Sequence, residues 1–216
     1  MNSGRGIRIS KGRFEAFSDG VFAIAITLLV LGFQPPKLAI ISEASVTSSL
    51  LAMWPQYVVY AVTFTNVGIM WFNHYALFHD ARYVTYAALI ANLALLMLIS
   101  FLPFIMMLLG QDGLLASLVF FYSLIMLLIS FCYGVLYYVV KLGPDEHGSV
   151  IGYFLSRTAW NTLGPIVYAA AMVLALVKPI ASVILIALIA GFYMLPSTVR
   201  SVLSTAKSAG GSHEPM

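Results

Sequence analysis

The sequence predicts an all-α membrane protein with six transmembrane helices in one chain. Of its 216 residues, 61% are hydrophobic and only 9% are charged, where a soluble domain carries about a quarter charged residues. The apolar residues also gather into runs near the ~20 residues that a helix needs to cross a bilayer. No stretch between the runs is polar and long enough to form a soluble domain. The bundle spanning residues 1–203 is therefore the fold, and the small polar tail 204–216, STAKSAGGSHEPM, is expected to be disordered.

The first span covers residues 14–34, within RFEAFSDGVFAIAITLLVLGF. Basic residues precede it, as in a signal peptide, but a cleavable signal has a shorter apolar core followed by a small-residue cleavage site. Here the run passes into Gln34-Pro35-Pro36, so the segment reads as a retained helix. The second span, 50–73, follows the polar-leaning connector Ser42 to Ser49. The third, 84–109, follows His74 to Arg82 and stops at Gly110-Gln111-Asp112-Gly113. The fourth, 114–140, holds the single cysteine, Cys132, which excludes a disulfide framework and reads as packing. Lys141 to Ser149 separates it from the fifth span, 156–177, and Lys178-Pro179 alone separates that from the sixth, 179–203, which predicts a tight helical hairpin. Glycine and proline end helices in these connectors by admitting left-handed geometry or removing a donor.

Arg5, Arg8, Lys11, Arg13, Arg82, Lys141, Arg157, Arg200 and Lys207 fall on the side of the N-terminus, and only Lys37 and Lys178 on the other. The positive-inside rule then places both termini in the cytoplasm. The net charge of +3 suits anionic lipid headgroups, with no nucleic acid required.

Polar side chains within apolar spans are costly and mark packing partners or an ion path. Three groups stand out. Arg13, Ser18 and Asp19 open the first span. Trp71, Asn73, His74, His79 and Asp80 close the second, at the same membrane face, and Asn92 and Asn161 sit within the third and fifth. Asp19 requires partners at its depth, for which Arg13, Asn73 and His74 are the nearest candidates. The histidines at 74 and 79 are five apart, not the three or four that put two ligands on one helical face, so no metal site is expected. Ser18 lacks a base and an oxyanion site, so no nucleophile is expected either. Ile24, Leu28 and Leu31 follow one another by four and three residues and line one stripe, which Phe17 and Gly20 extend. Thr27 supplies the one hydroxyl beside its middle.

RFEAFSDGVFAIAITLLV, with Arg13 three residues ahead of Phe17-Ser18-Asp19-Gly20, resembles the first-helix signature of the transmembrane protein 175 family in its prokaryotic branch. Met70 to Phe78, MWFNHYALF, is similar to the family's second-helix ending, and Asn92 to Phe104, NLALLMLISFLPF, to its third helix. The resemblance covers about residues 13 to 200, and Tyr75 stands where many members carry a second histidine. It implies a potassium channel, weakly selective over sodium, built as a homotetramer in a prokaryotic cell membrane, with helix 1 lining a central pore and no carbonyl filter of the TVGYG type. It implies pore constrictions at Ile24, Leu28 and Leu31, a pore-proximal hydroxyl at Thr27, and a polar network of Arg13, Ser18, Asp19, Trp71, Asn73 and His74. Potassium would be the permeant ion, with no cofactor and no enzyme activity.

Rings of Ile24 would form a hydrophobic neck able to gate by dewetting. A narrow apolar neck favours potassium modestly, because potassium sheds water more readily than sodium. A proton- or solute-coupled secondary transporter is the rival reading, although no similarity between residues 1–109 and 110–216 suggests the inverted repeats common in that class. A non-conducting membrane scaffold is a third, and it leaves the Phe-Ser-Asp cluster unexplained.

Overall fold

A computed structural model describes residues 10–34, 36, 41–79, 81, 83–141 and 159–194, with the side chains of 112 and 159–162 excepted. Among the described residues, seven α-helices follow in order. Helix α1, Lys11–Leu28, continues directly into a 3₁₀ turn over Leu29–Gly32. Helix α2 is Glu43–Ala52 and α3 is Trp54–His79. Helices α4, Tyr86–Asp112, and α5, Ala116–Lys141, are the longest apolar pair, and α6, Ala159–Ala175, and α7, Pro179–Met194, complete the bundle. The expected tail and the basic residues Arg5, Arg8, Lys37, Arg82, Arg157, Arg200 and Lys207 lie outside the described residues.

Among the described residues, three elements are long and apolar enough to cross a membrane: Lys11–Gly32, Tyr86–Gln111 and Ala116–Lys141. Leu163–Ala175 and Pro179–Met194 are apolar but shorter. Helix α3 has 26 residues, but Gln56, Thr63, Asn66, Asn73 and His74 dilute its apolar surface. Two of these find partners inside the bundle: the Thr63 hydroxyl lies 3.0 Å from that of Tyr122, and the Tyr168 hydroxyl donates to Asn66 Oδ1 at 2.9 Å, while the buried Gln56 Oε1 has no partner among the described residues.

Two connectors prove to be helical. Ser42 to Ser49 enters α2, because the Ser42 side chain accepts from the Ser45 amide while Ser45 Oγ accepts from the Ser42 amide. That reciprocal pair satisfies two free donors and starts the helix. The stretch after residue 73 is helical through His79, since Leu77 and Phe78 are buried core residues and no glycine or proline interrupts them. Gly110 likewise lies inside α4, which ends only at Gly113, with φ at 72° and its amide bonded to the Leu109 carbonyl at 3.0 Å. Pro103 sits inside α4 without ending it.

The core runs along α4 and α5, where Leu95, Ile99, Leu102, Met106, Val119, Tyr122, Met126 and Ile129 are buried. Helices α5, α6 and α7 are joined by hydroxyls: Ser182 donates to the Ala171 carbonyl at 2.7 Å, and Ser123 and Ser182 lie 3.3 Å apart. The α6–α7 hairpin is as tight as expected, closed by the Lys178 amide on the Leu174 carbonyl at 2.8 Å.

The end of α1 meets α4 backbone to backbone. A Cβ on Gly32 would stand 2.8 Å from the backbone of Met106, and one on Gly110 would collide with the Gly32 carbonyl. Gln56 Nε2 donates to the Gly110 carbonyl at 3.0 Å, so α3 joins the same crossing. Gly110→Ala should therefore separate these elements and cost about 1–3 kcal/mol or more, as overpacking does. A thermal melt in detergent checks it, with Gly68→Ala as control, since a Cβ there meets nothing within 4 Å.

Candidate functional site

Helix α1 has two opposed faces. Phe14, Ser18, Phe22, Ala25, Leu29 and Gly32 are buried against the bundle. Arg13, Phe17, Gly20, Ile24, Thr27 and Leu31, spaced alternately by four and three, are exposed. Such spacing keeps residues on one stripe of a helix. Ile24 is 61% and Leu31 67% exposed, values far above those of core residues of the same type, and Leu28 is 40% exposed beside them. The 3₁₀ turn affects the far end of the stripe, because side chains three apart eclipse in that geometry. Thr27 Oγ1 lies 2.9 Å from the carbonyls of both Ala23 and Ile24. Its proton is committed to the helix, and its oxygen still faces outward as an acceptor.

The buried face carries one polar chain. Asn92 Nδ2 donates to Ser18 Oγ at 3.0 Å, and Ser18 Oγ donates to the Phe14 carbonyl at 3.0 Å. With the Asn92 amide so turned, its Oδ1 accepts from His74 Nε2 at 2.8 Å, which places the proton on Nε2. Ser18 and Asn92 are fully buried, and the His74 ring is enclosed by Phe14, Phe22 and Phe78, with centroids 6.3, 5.5 and 4.8 Å away. Every link has a donor and an acceptor, so the chain joins α1, α3 and α4 without an orphaned group.

Asp19 belongs to a second, exposed pair. Trp71 Nε1 donates to Asp19 Oδ1 at 2.9 Å, and Trp71 stacks on Tyr75, whose ring meets that of His79 at a tilt of 43°. The partners expected from topology, Arg13, Asn73 and His74, are not those of Asp19. Successive residues of a helix point about 100° apart, so Ser18 and Asp19 cannot share a neighbour on the buried face, nor can His74 and Asn73. The Asn73 carbonyl accepts from the Tyr133 hydroxyl at 3.1 Å. Asn73 also lines a cavity of about 330 Å³ between α3, α5, α6 and α7, with Asn66, Ser130, Tyr137 and Tyr168. Arg13, five residues from Ser18, lies on the exposed stripe and has no hydrogen-bond or ion-pair partner among the described residues. The expected six-residue network is therefore two clusters and two outliers.

Asn92 was the member that spacing did not connect. It stands six residues after the start of α4, while Ser18 stands seven after the start of α1 and His74 five before the end of α3. At 1.5 Å per residue these are one depth, roughly 8–11 Å from the same face. Matching polar residues by depth would have found the chain. The side chain of Asn161 lies outside the described residues, and no group of three or more metal-ligating side chains occurs among those described.

Residues 13–103, which hold both clusters and the exposed stripe, match the family model described as the endosomal/lysosomal potassium channel TMEM175. The crystal structure of a TMEM175 homologue from Chamaesiphon minutus superposes with a TM-score of 0.72 at 32% identity, covering 85% of this chain and 95% of that one. The chain belongs to the TMEM175 family. That family is one of ion channels rather than enzymes, and its membership together with the apolar helices makes this an integral membrane protein. Residues of this chain are 46% identical over 93 positions to a Chamaesiphon minutus protein named a potassium channel, covering 43% of this chain and 46% of that protein. A mouse TMEM175 protein, named an endosomal/lysosomal proton channel, is 37% identical over 101 residues, covering 44% of this chain and 20% of that protein. The chain thus matches less than half the length of these curated relatives.

Proposed function

We propose that the chain forms a homotetrameric, potassium-preferring cation channel in a prokaryotic cell membrane, with six spans per subunit and both termini cytoplasmic. The observation that carries this reading is the division of α1 into a buried, anchored face and an uncovered apolar stripe. A single bundle of this size cannot surround a pore with one helix, so the stripe acquires a lumen only when copies assemble about an axis. Ile24, Leu28 and Leu31 then form stacked apolar rings, and Thr27 presents its hydroxyl oxygen beside them. The Ser18–Asn92–His74 chain holds α1 against α3 and α4 from behind. Helix α3 crosses the membrane despite its polar side chains, because Thr63, Asn66 and His74 find partners within the subunit.

With no charge or carbonyl filter among Ile24, Thr27, Leu28 and Leu31, selection rests on the cost of stripping water at an apolar neck, which favours potassium weakly. The relatives named potassium channels support the ion, and the superposition on the Chamaesiphon minutus structure supports the subunit fold. The purified protein in a planar bilayer under opposed potassium and sodium gradients should give currents reversing near the potassium equilibrium potential. Reversal set by the proton gradient would make it a proton channel, as the mouse relative is named. Saturable uptake in fixed stoichiometry would instead establish a coupled transporter.

A further inference from the structure

The cavity of about 330 Å³ between α3, α5, α6 and α7 is bounded, among the described residues, by neither α1 nor any of Asp19, Trp71, His74 and Asn92. It runs along α3 from Asn66 to Leu77 and along α5 from Ile129 to Lys141. At 1.5 Å per residue those stretches are about 16 and 18 Å long, so the volume is spread into a narrow slot. Its wall has two chemistries. Ile69, Met70, Leu77 and Ile129 present hydrocarbon, while Asn66, Asn73 and Ser130 present uncharged polar groups. Gly164 on α6 keeps the slot open, because a Cβ there would stand 3.1 Å from Ser130 Oγ and 3.5 Å from the Tyr193 hydroxyl. Lys141 is the last residue of α5, and Ser130 stands about three turns further in. Water alone would leave the hydrocarbon wall unmatched, and a plain alkyl chain would desolvate Ser130 and the Asn73 carboxamide. A molecule with a hydroxyl and an aliphatic chain matches both.

We propose that this slot is a binding site for an uncharged, single-chain amphiphile with a hydroxyl head, taken from the surrounding bilayer. Small-molecule sites commonly have this form, a mostly apolar cleft between bundle helices with a few hydroxyl and amide groups fixing the ligand. The volume sets the size. An apolar cavity of about 150 Å³ takes benzene, so one of about 330 Å³ takes roughly a dozen non-hydrogen atoms. The narrowness of the slot favours an extended chain over a ring. The head is neutral, because it is met by a carboxamide and a hydroxyl within the span of α5, where a charge is costly. Every described wall belongs to one subunit, so the site does not depend on the pore reading above.

Photolabelling the full chain in nanodiscs with azioctanol, an uncharged eight-carbon alcohol, tests this by peptide mass spectrometry. Adducts should saturate and fall within Asn66–Leu77 and Ile129–Lys141. Decanol should compete with the label, and hexadecanol at the same mole fraction in the membrane should not, because the slot has a closed inner end. Decanoate, of decanol's length but ionised, should compete about tenfold less well or worse. Gly164→Leu fills the slot and should abolish the labelling, and Ser130→Ala, which removes one hydrogen bond to the head, should weaken it about fivefold. Unsaturable labelling spread over outward residues such as Phe101 and Phe104 would overturn the proposal, as would undiminished labelling of folded Gly164→Leu. Equal competition by decanoate would overturn the neutral head, and equal competition by hexadecanol the bounded slot. If Gly164→Leu does not fold, Ser130→Ala and the competition series decide the matter on their own.

Discussion

Replacing Ile24 by asparagine is expected to raise potassium flux about tenfold and to lower the preference over sodium. An apolar ring narrow enough to exclude water presents an ion with a neck in which it must shed part of its hydration shell, and this step is the barrier. A ring of amides keeps nearly the same volume and offers hydrogen-bonding atoms that hold water in the neck. Removing about 1.4 kcal/mol from the barrier gives the tenfold change. Because an amide oxygen replaces hydration for sodium as well as for potassium, selection by the cost of dehydration weakens with it. Flux and reversal potential in liposomes of wild type and Ile24→Asn measure both effects. Unchanged or lower flux from intact tetramers would move the constriction to Leu28 or Leu31. Ile24 is suited to the substitution because it is 61% exposed within the subunit, so asparagine there disturbs no core contact.

Asn92→Ala should destabilise the bundle strongly, for a reason invisible from its own helix. The amide is the middle of the chain from His74 to Ser18, and its loss removes hydrogen bonds of 2.8 and 3.0 Å at once. Hydrogen bonds between membrane helices average about 0.6 kcal/mol and reach about 1.7. Two of them together with the small void left behind give roughly 2–4 kcal/mol. His74 then has no acceptor for its Nε2 proton inside a cage of three phenylalanines. The yield of folded protein and the midpoint of a melt in detergent should both fall. Asn92→Leu, which restores volume but not the bonds, should recover only part of the loss. Full recovery by leucine would show that the amide serves packing alone.

How much of this was legible beforehand differs from residue to residue. The exposed stripe was legible, since a four-three repeat of Ile24, Leu28 and Leu31 is a property of one helix and needs no partner to be seen. The helical state of residues 74–79 was not, because the charged and histidine residues that follow resemble a connector, while burial of Leu77 and Phe78 extends the helix. Arg13 is near Ser18 in sequence, but five residues of α-helix separate their directions by about 140°, so within the subunit it lies on the exposed side while Ser18 is buried. Asn92 is legible as a costly residue but its partners are not, because sequence distance hides the fact that α1, α3 and α4 bring Ser18, His74 and Asn92 to the same depth.

The sequence by itself determined the class of the molecule. An apolar chain of this length with short punctuated connectors has helices as its ready way to satisfy the backbone, and the periodicity of helix 1 decided which of its residues share a face. Only the tertiary structure decided what lies against each face. It put Ser18, Asn92 and His74 into one chain, gave Asp19 to Trp71, and brought Gly32 against Gly110 closely enough that neither position tolerates a methyl group. The physical reason is that helical phase is a local quantity, whereas depth and crossing distance depend on how whole helices pack.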